Sequence, residues 1–168
     1  MVLAVLCDIT HIKQAQELSF KDRLTGLHNR NYMEVKGRQF LRAGSLPISL
    51  IMADCNYLKR TNDTLGHEYG DKLLRKVAVI LRESSPDNCD VLRIGGDEFL
   101  ILGRECPRSQ AEAIVAEIRR RFAEESTEEL PLSAAFGIHT TETGEFSFEK
   151  VYYLADQAMY RDKKKSRR

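Results

Sequence analysis

Residues 91–102 read Val-Leu-Arg-Ile-Gly-Gly-Asp-Glu-Phe-Leu-Ile-Leu, with two glycines and two acids between short apolar runs. This pattern predicts a β-hairpin with carboxylates at its tip. Because glycine has no side chain to block a close approach, Gly95 and Gly96 would let the turn approach a phosphate-bound cation. A plain tight turn with solvated acids is the alternative, and this stretch alone does not decide between them.

The composition indicates one compact domain. The 168 residues are 42% hydrophobic, which is enough for a real core. The 26 Lys and Arg nearly balance the 25 Asp and Glu, so the net charge of +1 favours neither nucleic acid nor a membrane surface as partner. Cys7, Cys55, Cys89 and Cys106 show no CxxC or zinc-type spacing, which predicts reduced thiols in a cytoplasmic protein.

The first 19 residues are predicted to lie outside this domain. Residues 2–9 are apolar and β-prone, and a polar helical stretch follows at 11–20. One strand cannot bury both faces by itself, so we expect residues 1–19 to be the end of an upstream domain plus a linker helix. A tag or a simple edge strand is the alternative. No apolar stretch approaches the roughly 20 residues of a membrane span, so we expect no membrane contact.

Hydrophobic periodicity predicts an α+β fold over residues 20–168. The predicted helices cover residues 32–43, 68–82, 111–122 and 148–160, and the predicted strands cover 48–53, 131–140 and the two arms of the 91–102 hairpin. The core order of strand, helix, strand, strand, helix, strand matches the ferredoxin-like arrangement, with helices on one face of an antiparallel-containing sheet.

Two acids are expected to converge in this topology. Asp54 ends the first strand and Asp97 lies at the hairpin tip, and the two elements are neighbours in a ferredoxin-like sheet. Mg²⁺ prefers carboxylate oxygens shared with substrate phosphates, so the pair fits a nucleotide–metal site. A helix N-cap is the alternative for Asp54, although Asn56 is the better cap for a helix starting near Tyr57.

Residues 59–71 are dense in polar groups and glycines. Asn62 can both donate and accept, and Asp71 only accepts, so together they could satisfy the edge of a guanine base. The alternatives are that Asn62 only terminates a short helix and that Asp71 only pairs with Arg75 four residues on.

The end of the chain is basic. Five cations are predicted to follow the last helix: Lys163, Lys164, Lys165, Arg167 and Arg168. They form either a solvated tail or a group that folds back onto nucleotide phosphates. Neither a P-loop nor a GxGxxG motif is present in the sequence.

Four stretches together resemble the GGDEF domains, diguanylate cyclases that condense two GTP into cyclic di-GMP. Residues 22–30 resemble the family's DxLTGLxNR motif, 62–71 resemble NDxxGHxxGD, 95–99 carry the signature, and 160–163 resemble the closing YxAK stretch. The resemblance covers the chain from about residue 20 to its end. It implies a polymerase-palm-like core, consistent with the predicted strand order.

The resemblance also implies residue roles. Asp54, Asp97 and the backbone carbonyl of Cys55 would bind Mg²⁺ (or Mn²⁺), and Glu98 would support the site by polarising or hydrogen-bonding within it. The groups implied to hold phosphates are Lys59, Lys163, Arg167 and the backbone amides near Tyr57 and Leu58. Lys59 is also expected to be catalytic, together with Asp97 and Glu98. Asn62 and Asp71 would bind guanine. Each subunit would carry one GTP, so turnover would need a homodimer.

Some positions depart from the family pattern. Where many members read DIDxFK, residues 54–59 read Asp-Cys-Asn-Tyr-Leu-Lys, which keeps the first acid and the lysine. Residues 86–89 lack the RxxD motif of product inhibition, so that site is predicted to be absent. Asp8-Ile9-Thr10 and the following helix resemble the end of a PAS sensor domain and its linker. A silent GTP-binding module, a bare dimerisation module and a cyclase of changed base choice are the alternatives to an active diguanylate cyclase.

Overall fold

The computed structural model describes residues 19–37, 46–143 and 147–165. In chain order the elements are α1 (Arg30–Tyr32), a π-helical turn (Met33–Gly37), β1 (Ile48–Cys55), α2 (Leu58–Leu65), α3 (His67–Glu83), β2 (Cys89–Arg93), β3 (Glu98–Gly103), α4 (Arg108–Glu125), β4 (Ala134–Thr141) and α5 (Phe148–Lys165). The predicted strands and the helices at 68–82, 111–122 and 148–160 are confirmed, with ends shifted by a few residues.

The four strands form one antiparallel sheet in the order β2-β3-β1-β4. The central strand β1 is buried along its whole length because it has a neighbour on each side and helices above and below. β3 pairs with both β1 and β2, so the predicted hairpin is confirmed and its turn lies at the end of β1.

The helices pack around both faces of the sheet: α3 and α4 share one face, as the ferredoxin-like arrangement predicts, whereas α5 covers the other face and departs from the one-face expectation. Alternate β1 residues such as Ile51 and Ala53 pack in the cluster that contains the apolar stripes of α3 and α4. Leu50 and Met52 point the opposite way and pack in the cluster of α5. Since successive strand residues point to opposite faces, a strand buried at every position requires cover on both sides.

Three further expectations change. Residues 58–65 form helix α2, which continues past Asn62, the residue that was considered as the end of a short helix starting near Tyr57; Thr61 is its only buried residue, so apolar periodicity marks its extent weakly. α5 continues through Lys165, so Lys163 to Lys165 belong to its last turn, whereas they were predicted to follow the helix. Lysine is a good helix former, and its positive charge interacts favourably with the C-terminal end of the helix dipole. In the predicted 32–43 helix, residues 33–37 form the π-helical turn and residues 38–45 lie outside the described residues.

Candidate functional site

The glycine–acid turn lies against the end of β1. Asp54, near the end of that strand, is the register partner of Glu98 at the start of β3. The backbone N–H of Cys55 donates to the carbonyl oxygen of Asp97 at 2.8 Å. Because β1 and β3 are antiparallel, the end of one strand meets the start of the other, and acids far apart in sequence share one edge of the sheet.

Asp54 is paired with a cation. Its side chain is only 10% exposed, and both carboxylate oxygens accept hydrogen bonds from Nζ of Lys163 at 2.7 Å. Lys163 lies in the last turn of α5, which packs on β4 and β1. A carboxylate this buried needs a charged or hydrogen-bonding partner. The ammonium group shows that the surroundings of Asp54 favour a positive charge at its oxygens.

Negative charge accumulates around Glu98. Burial is the main cause that raises the pKa of Glu98. Three neighbouring carboxylates raise it further, and Lys163 acts in the opposite direction; the three are Asp97, Asp54 and Asp156. Mutual repulsion among carboxylates is what a divalent cation would relieve.

The donor set fits a hard divalent cation that is shared with a substrate. Within the described ranges, no three His, Cys, Asp or Glu side chains converge on one point as metal ligands. Mg²⁺ usually takes one or two protein carboxylates and completes its shell with waters and phosphates, so Asp54 and Asp97 suffice. Burial, followed by the charges of Asp97 and Asp54, raises the pKa of the Cys55 thiol. The thiol therefore stays neutral, and the carbonyl oxygen of Cys55 is the harder donor.

The turn after β1 begins α2 with an uncommon backbone conformation. Tyr57 is the N-cap at φ 67°, in the left-handed region, and no side chain caps the helix there. Non-glycine residues are held in this region only when surrounding structure fixes them, and such positions cluster at functional sites. The amides of the first turn lack a side-chain acceptor at the cap, and exposed Lys59 lies in this turn.

Asn56 is not the cap that the sequence predicted. Its Nδ2 donates to Oγ of Ser133 at 2.9 Å, and its backbone N–H donates to the Ser133 carbonyl at 2.8 Å. These bonds extend the β1–β4 pairing by one residue and draw the amide away from the helix start. The N-cap alternative for Asp54 is also wrong, because Asp54 lies within β1.

The α2–α3 connection sets Asn62 against Gly70, the residue before Asp71. A Cβ on Gly70 would overlap Oδ1 of Asn62. Because glycine has no side chain, the Asn62 carboxamide fits against residue 70, next to Asp71 in the sequence. Asp71 also pairs with Arg75 at 3.9 Å, as the structural alternative predicted, but both side chains are about half exposed. A pair this exposed stabilises little and leaves the carboxylate accessible to a ligand.

A family model for the GGDEF domain of diguanylate cyclases matches residues 19–168. The chain belongs to the GGDEF domain family. A diguanylate cyclase of Vibrio cholerae is 33% identical over an aligned length of 177 residues, and the alignment covers 99% of this chain and 54% of the relative. The response regulator PleD of Caulobacter vibrioides is 28% identical over 166 residues, in an alignment that covers 94% of this chain and 37% of PleD. The chain thus spans about half or less of these curated relatives.

Solved structures agree with this assignment. The crystal structure of the GGDEF domain of DgcB from Caulobacter crescentus, in complex with c-di-GMP, superposes with a TM-score of 0.81 at 25% identity, over 88% of this chain and 89% of that one. The predicted α+β, palm-like fold is therefore confirmed for this GGDEF domain.

Arg93 and Asp22 support the signature turn of the GGDEF domain, a role that was not predicted from the sequence. Arg93 donates to the carbonyl of Gly96 from Nη2 at 2.8 Å and from Nε at 3.3 Å. Its Nη1 donates to both carboxylate oxygens of Asp22, at 3.2 and 3.3 Å. Asp22 also accepts from the N–H and the hydroxyl of Thr25. The motif at residues 22–30 therefore positions the signature, a link that only the fold reveals.

Two expectations stay predictions: the phosphate contact of Arg167 and the absence of a product-inhibition site at residues 86–89. Arg167 lies outside the described residues, so its predicted role as a phosphate ligand stays a prediction. Residues 86–89, where the product-inhibition motif would lie, form the turn into β2, in which the N–H of Cys89 donates to the carbonyl of Pro86 at 2.9 Å.

Proposed function

We propose that this chain is a diguanylate cyclase domain that condenses two GTP into cyclic di-GMP with release of two pyrophosphates. The observation that carries the proposal is the β1–β3 pairing, which sets Asp54 opposite Glu98 and bonds Cys55 to Asp97. It places the signature acids beside the strongest candidate metal ligand. Membership of the GGDEF family and the likeness to named diguanylate cyclases support the same activity.

In this proposal Asp54, Asp97 and the Cys55 carbonyl hold Mg²⁺ or Mn²⁺. The ion, when bound, lowers the pKa of the attacking 3′-hydroxyl and neutralises the leaving pyrophosphate. Lys163 already bonds to Asp54, so it is within reach of phosphates carried by a nucleotide at this carboxylate. A raised pKa would let Glu98 keep a proton and donate a hydrogen bond within the site.

The phosphates would lie across the start of α2. Lys59 and the amides near Tyr57 and Leu58 present positive charge and N–H donors there, at a helix N-terminus without a side-chain cap. Lys163, together with Arg167 from the end of the chain, would complete the set. These groups hold the α-phosphorus for in-line attack, and chemistry of this kind depends mainly on positioning and charge stabilisation.

Guanine recognition would fall to Asn62 and Asp71. The Asp71 carboxylate accepts the N1 and N2 protons of guanine, whereas the Asn62 amide donates to O6. Adenine presents a donor where guanine presents O6 and lacks the N2 amine, so this pair favours guanine. The position of Asn62 against Gly70 supports the assignment because it fixes the carboxamide beside the start of α3.

Turnover would need two domains, since each would bind one GTP and the 3′-hydroxyl of one nucleotide must reach the α-phosphate of the other. We propose an antiparallel homodimer for this step, with an upstream sensor domain controlling its formation. We propose a cytoplasmic location, where GTP is available as substrate. Among the described residues, none of the helices has the length and apolar character needed to span a membrane.

The test is product chromatography after the protein is incubated at high concentration with GTP and Mg²⁺. Wild type should form cyclic di-GMP, and Asp97→Ala should lower the rate about 100-fold or more because it removes charge stabilisation at the reacting phosphates. Glu124→Gln is the matched control, since Glu124 is an exposed α4 acid that pairs with Arg120. Tight GTP binding without product at every protein concentration would reject the cyclase and favour a silent GTP-binding module.

A further inference from the structure

Two cysteine sulfurs meet at the base of the β2–β3 hairpin. Cys89 is the register partner of Gly103, and Cys106 follows the same glycine by three residues. A Cβ on Gly103 would lie 2.8 Å from Sγ of Cys106 and 3.2 Å from Sγ of Cys89. The absence of a side chain at 103 therefore lets both sulfurs occupy one small space, and both are free thiols.

The backbone holds this pair in place. Cys89 lies in a regular ladder position of β2 and also bonds through its N–H to the carbonyl of Pro86. The N–H of Cys106 donates to the carbonyl of Pro47 at 2.7 Å, and the Cys106 carbonyl accepts from the hydroxyl of Ser49 at 2.7 Å. Both Cα atoms are thus held on neighbouring segments by backbone hydrogen bonds, so the two sulfurs stay on either side of the same glycine.

The two thiols interact chemically. A hydrogen bond from the Cys89 thiol lowers the pKa of the Cys106 thiol to about 7, although burial opposes this shift. The same hydrogen bond, followed by burial, raises the pKa of Cys89. Of the two thiols, Cys106 is therefore the one for which the thiolate, the reactive form of cysteine, is favoured.

A small oxidant has a route to the pair. Cys89 is partly exposed and lines a cavity of about 290 Å³ beside the residue 86–89 turn, with Lys21 and Arg82 also in its wall. Asp87 and Asp90 line the same cavity, and the charge of Asp90 contributes to the raised pKa of Cys89, so the cavity gives access to the pair without itself favouring a thiolate. Cys55 differs, because it is fully buried and its pKa is raised by burial and by Asp97 and Asp54.

We propose that Cys89 and Cys106 are a modification site that forms a reversible disulfide on exposure to a hydroperoxide. The Cys106 thiolate, formed by loss of the thiol proton, attacks a peroxide oxygen, the O–O bond breaks, and the departing hydroxide takes up that proton and leaves as water. The Cys89 thiol then attacks the Cys106 sulfenic acid, the S–S bond forms, and the sulfenic oxygen leaves as a second water with the Cys89 proton. Two thiols lose two electrons and the peroxide gains them, and a dithiol reductant reverses the reaction.

The disulfide would clamp the end of the hairpin opposite the signature turn. It would close a loop of about 18 residues that contains β2, the signature and β3, and such a link restricts the unfolded chain. The oxidised protein should therefore unfold at a temperature several degrees higher than the reduced protein.

The experiment treats reduced protein with hydrogen peroxide, blocks the remaining thiols with an alkylating reagent and maps the peptides without reductant by mass spectrometry. We expect one cross-linked pair, Cys89 to Cys106, with loss of two of the four alkylatable thiols. Dithiothreitol should restore both thiols and reverse the rise in unfolding temperature.

Variants separate this pair from the other cysteines. Cys7→Ser keeps the pair and should behave as wild type, whereas Cys89→Ser and Cys106→Ser should each retain their remaining thiols without forming an internal cross-link. The proposal is overturned if the peptide map of the wild type shows Cys89 and Cys106 fully alkylated after peroxide, irreversibly oxidised without a cross-link, or cross-linked to Cys7 or Cys55. Because the decisive readout uses the wild-type protein, misfolding of a variant would not obscure it.

Discussion

At the scale of single residues, the ion pair between Asp54 and Lys163 dominates the electrostatics of the site. The buried carboxylate of Asp54 accepts two 2.7 Å hydrogen bonds from an ammonium group that belongs to the last helix. Breaking a pair that is largely shielded from water costs more than an exposed pair contributes, because the remaining charge loses its compensation. Any cation that binds Asp54 must therefore share it with Lys163 or displace Lys163.

We predict that Lys163→Met lowers the free energy of unfolding by about 1–3 kcal/mol in the absence of divalent metal, since Asp54 then lacks its counter-charge. Added Mg²⁺ should recover more of the thermal stability in this variant than in wild type. Lys164→Met is the control, because the Lys164 ammonium lies over the Tyr160 ring, 4.4 Å from its centroid. Equal Mg²⁺-dependent shifts in both variants would contradict the competition between metal and Lys163 at Asp54.

Asp22 gives the site a pH-dependent support. Partial burial alone would raise the pKa of Asp22, but hydrogen bonds from Thr25 and the Arg93 guanidinium outweigh it and hold the pKa below its usual value. A carboxyl whose pKa is lowered by folding stabilises the protein above its unfolded pKa of about 3.9, and this contribution is lost as the pH falls through the lower folded value.

We predict that Asp22→Asn lowers the free energy of unfolding by about 1–2 kcal/mol at neutral pH, the scale of hydrogen bonds to a charged group. The difference from wild type should shrink towards zero as the pH falls below 4, because wild-type Asp22 becomes neutral as well. Urea unfolding over a pH series measures this, with the exposed acid substitution Asp63→Asn as the control. A difference that persists unchanged in acid would mean that packing, and not charge, is the cause.

At the scale of elements, the contact of α5 with β4 places Lys163. A Cβ on Gly137 of β4 would overlap the backbone of α5 at the carbonyl of Ala155 and the N–H of Met159. Backbone atoms cannot rotate away as the end of a side chain can, so the helix can lie this close only to a glycine.

We predict that Gly137→Ala destabilises the domain by about 3 kcal/mol or more, because α5 must move away from the sheet to admit one methyl group. Gly96→Ala is the matched control, since no atom lies within 4 Å of a Cβ built there and its φ is outside the left-handed region. Thermal unfolding of both variants tests this. Similar melting temperatures for the two would show that α5 is free to shift on the sheet.

At the scale of the whole molecule, the proposed activity depends on assembly. One chain supplies one set of candidate GTP ligands, whereas cyclic di-GMP contains two nucleotides. We predict that the isolated chain is mostly monomeric at low concentration and that its specific activity rises with protein concentration, because the productive dimer forms by mass action. Sedimentation velocity beside initial rates tests this. Constant specific activity together with a tight dimer at micromolar concentration would contradict it.

Much of the fold was predictable because its helices and strands leave periodic patterns of apolar residues in the sequence. The apolar stripes of α3 and α4, the mostly apolar β1 and the glycine–acid turn all follow from residues adjacent in sequence or one helical turn apart. The extent of α2 was not predicted beyond a short helix starting near Tyr57, because Thr61 is its only buried residue; the N–H of Gly66 donates to the Asn62 carbonyl at its end.

The α+β class, the order of the strands along the chain and the residue types that a nucleotide–metal site needs all follow from the amino-acid pattern. Which of these residues meet depends on how the chain packs in three dimensions. Asp54 with Lys163, Arg93 with both Asp22 and the signature turn, and Cys89 beside Cys106 are each brought together by antiparallel pairing or by a helix packed on the sheet. Local pattern specifies elements, whereas contacts between distant residues depend on how those elements pack their buried faces.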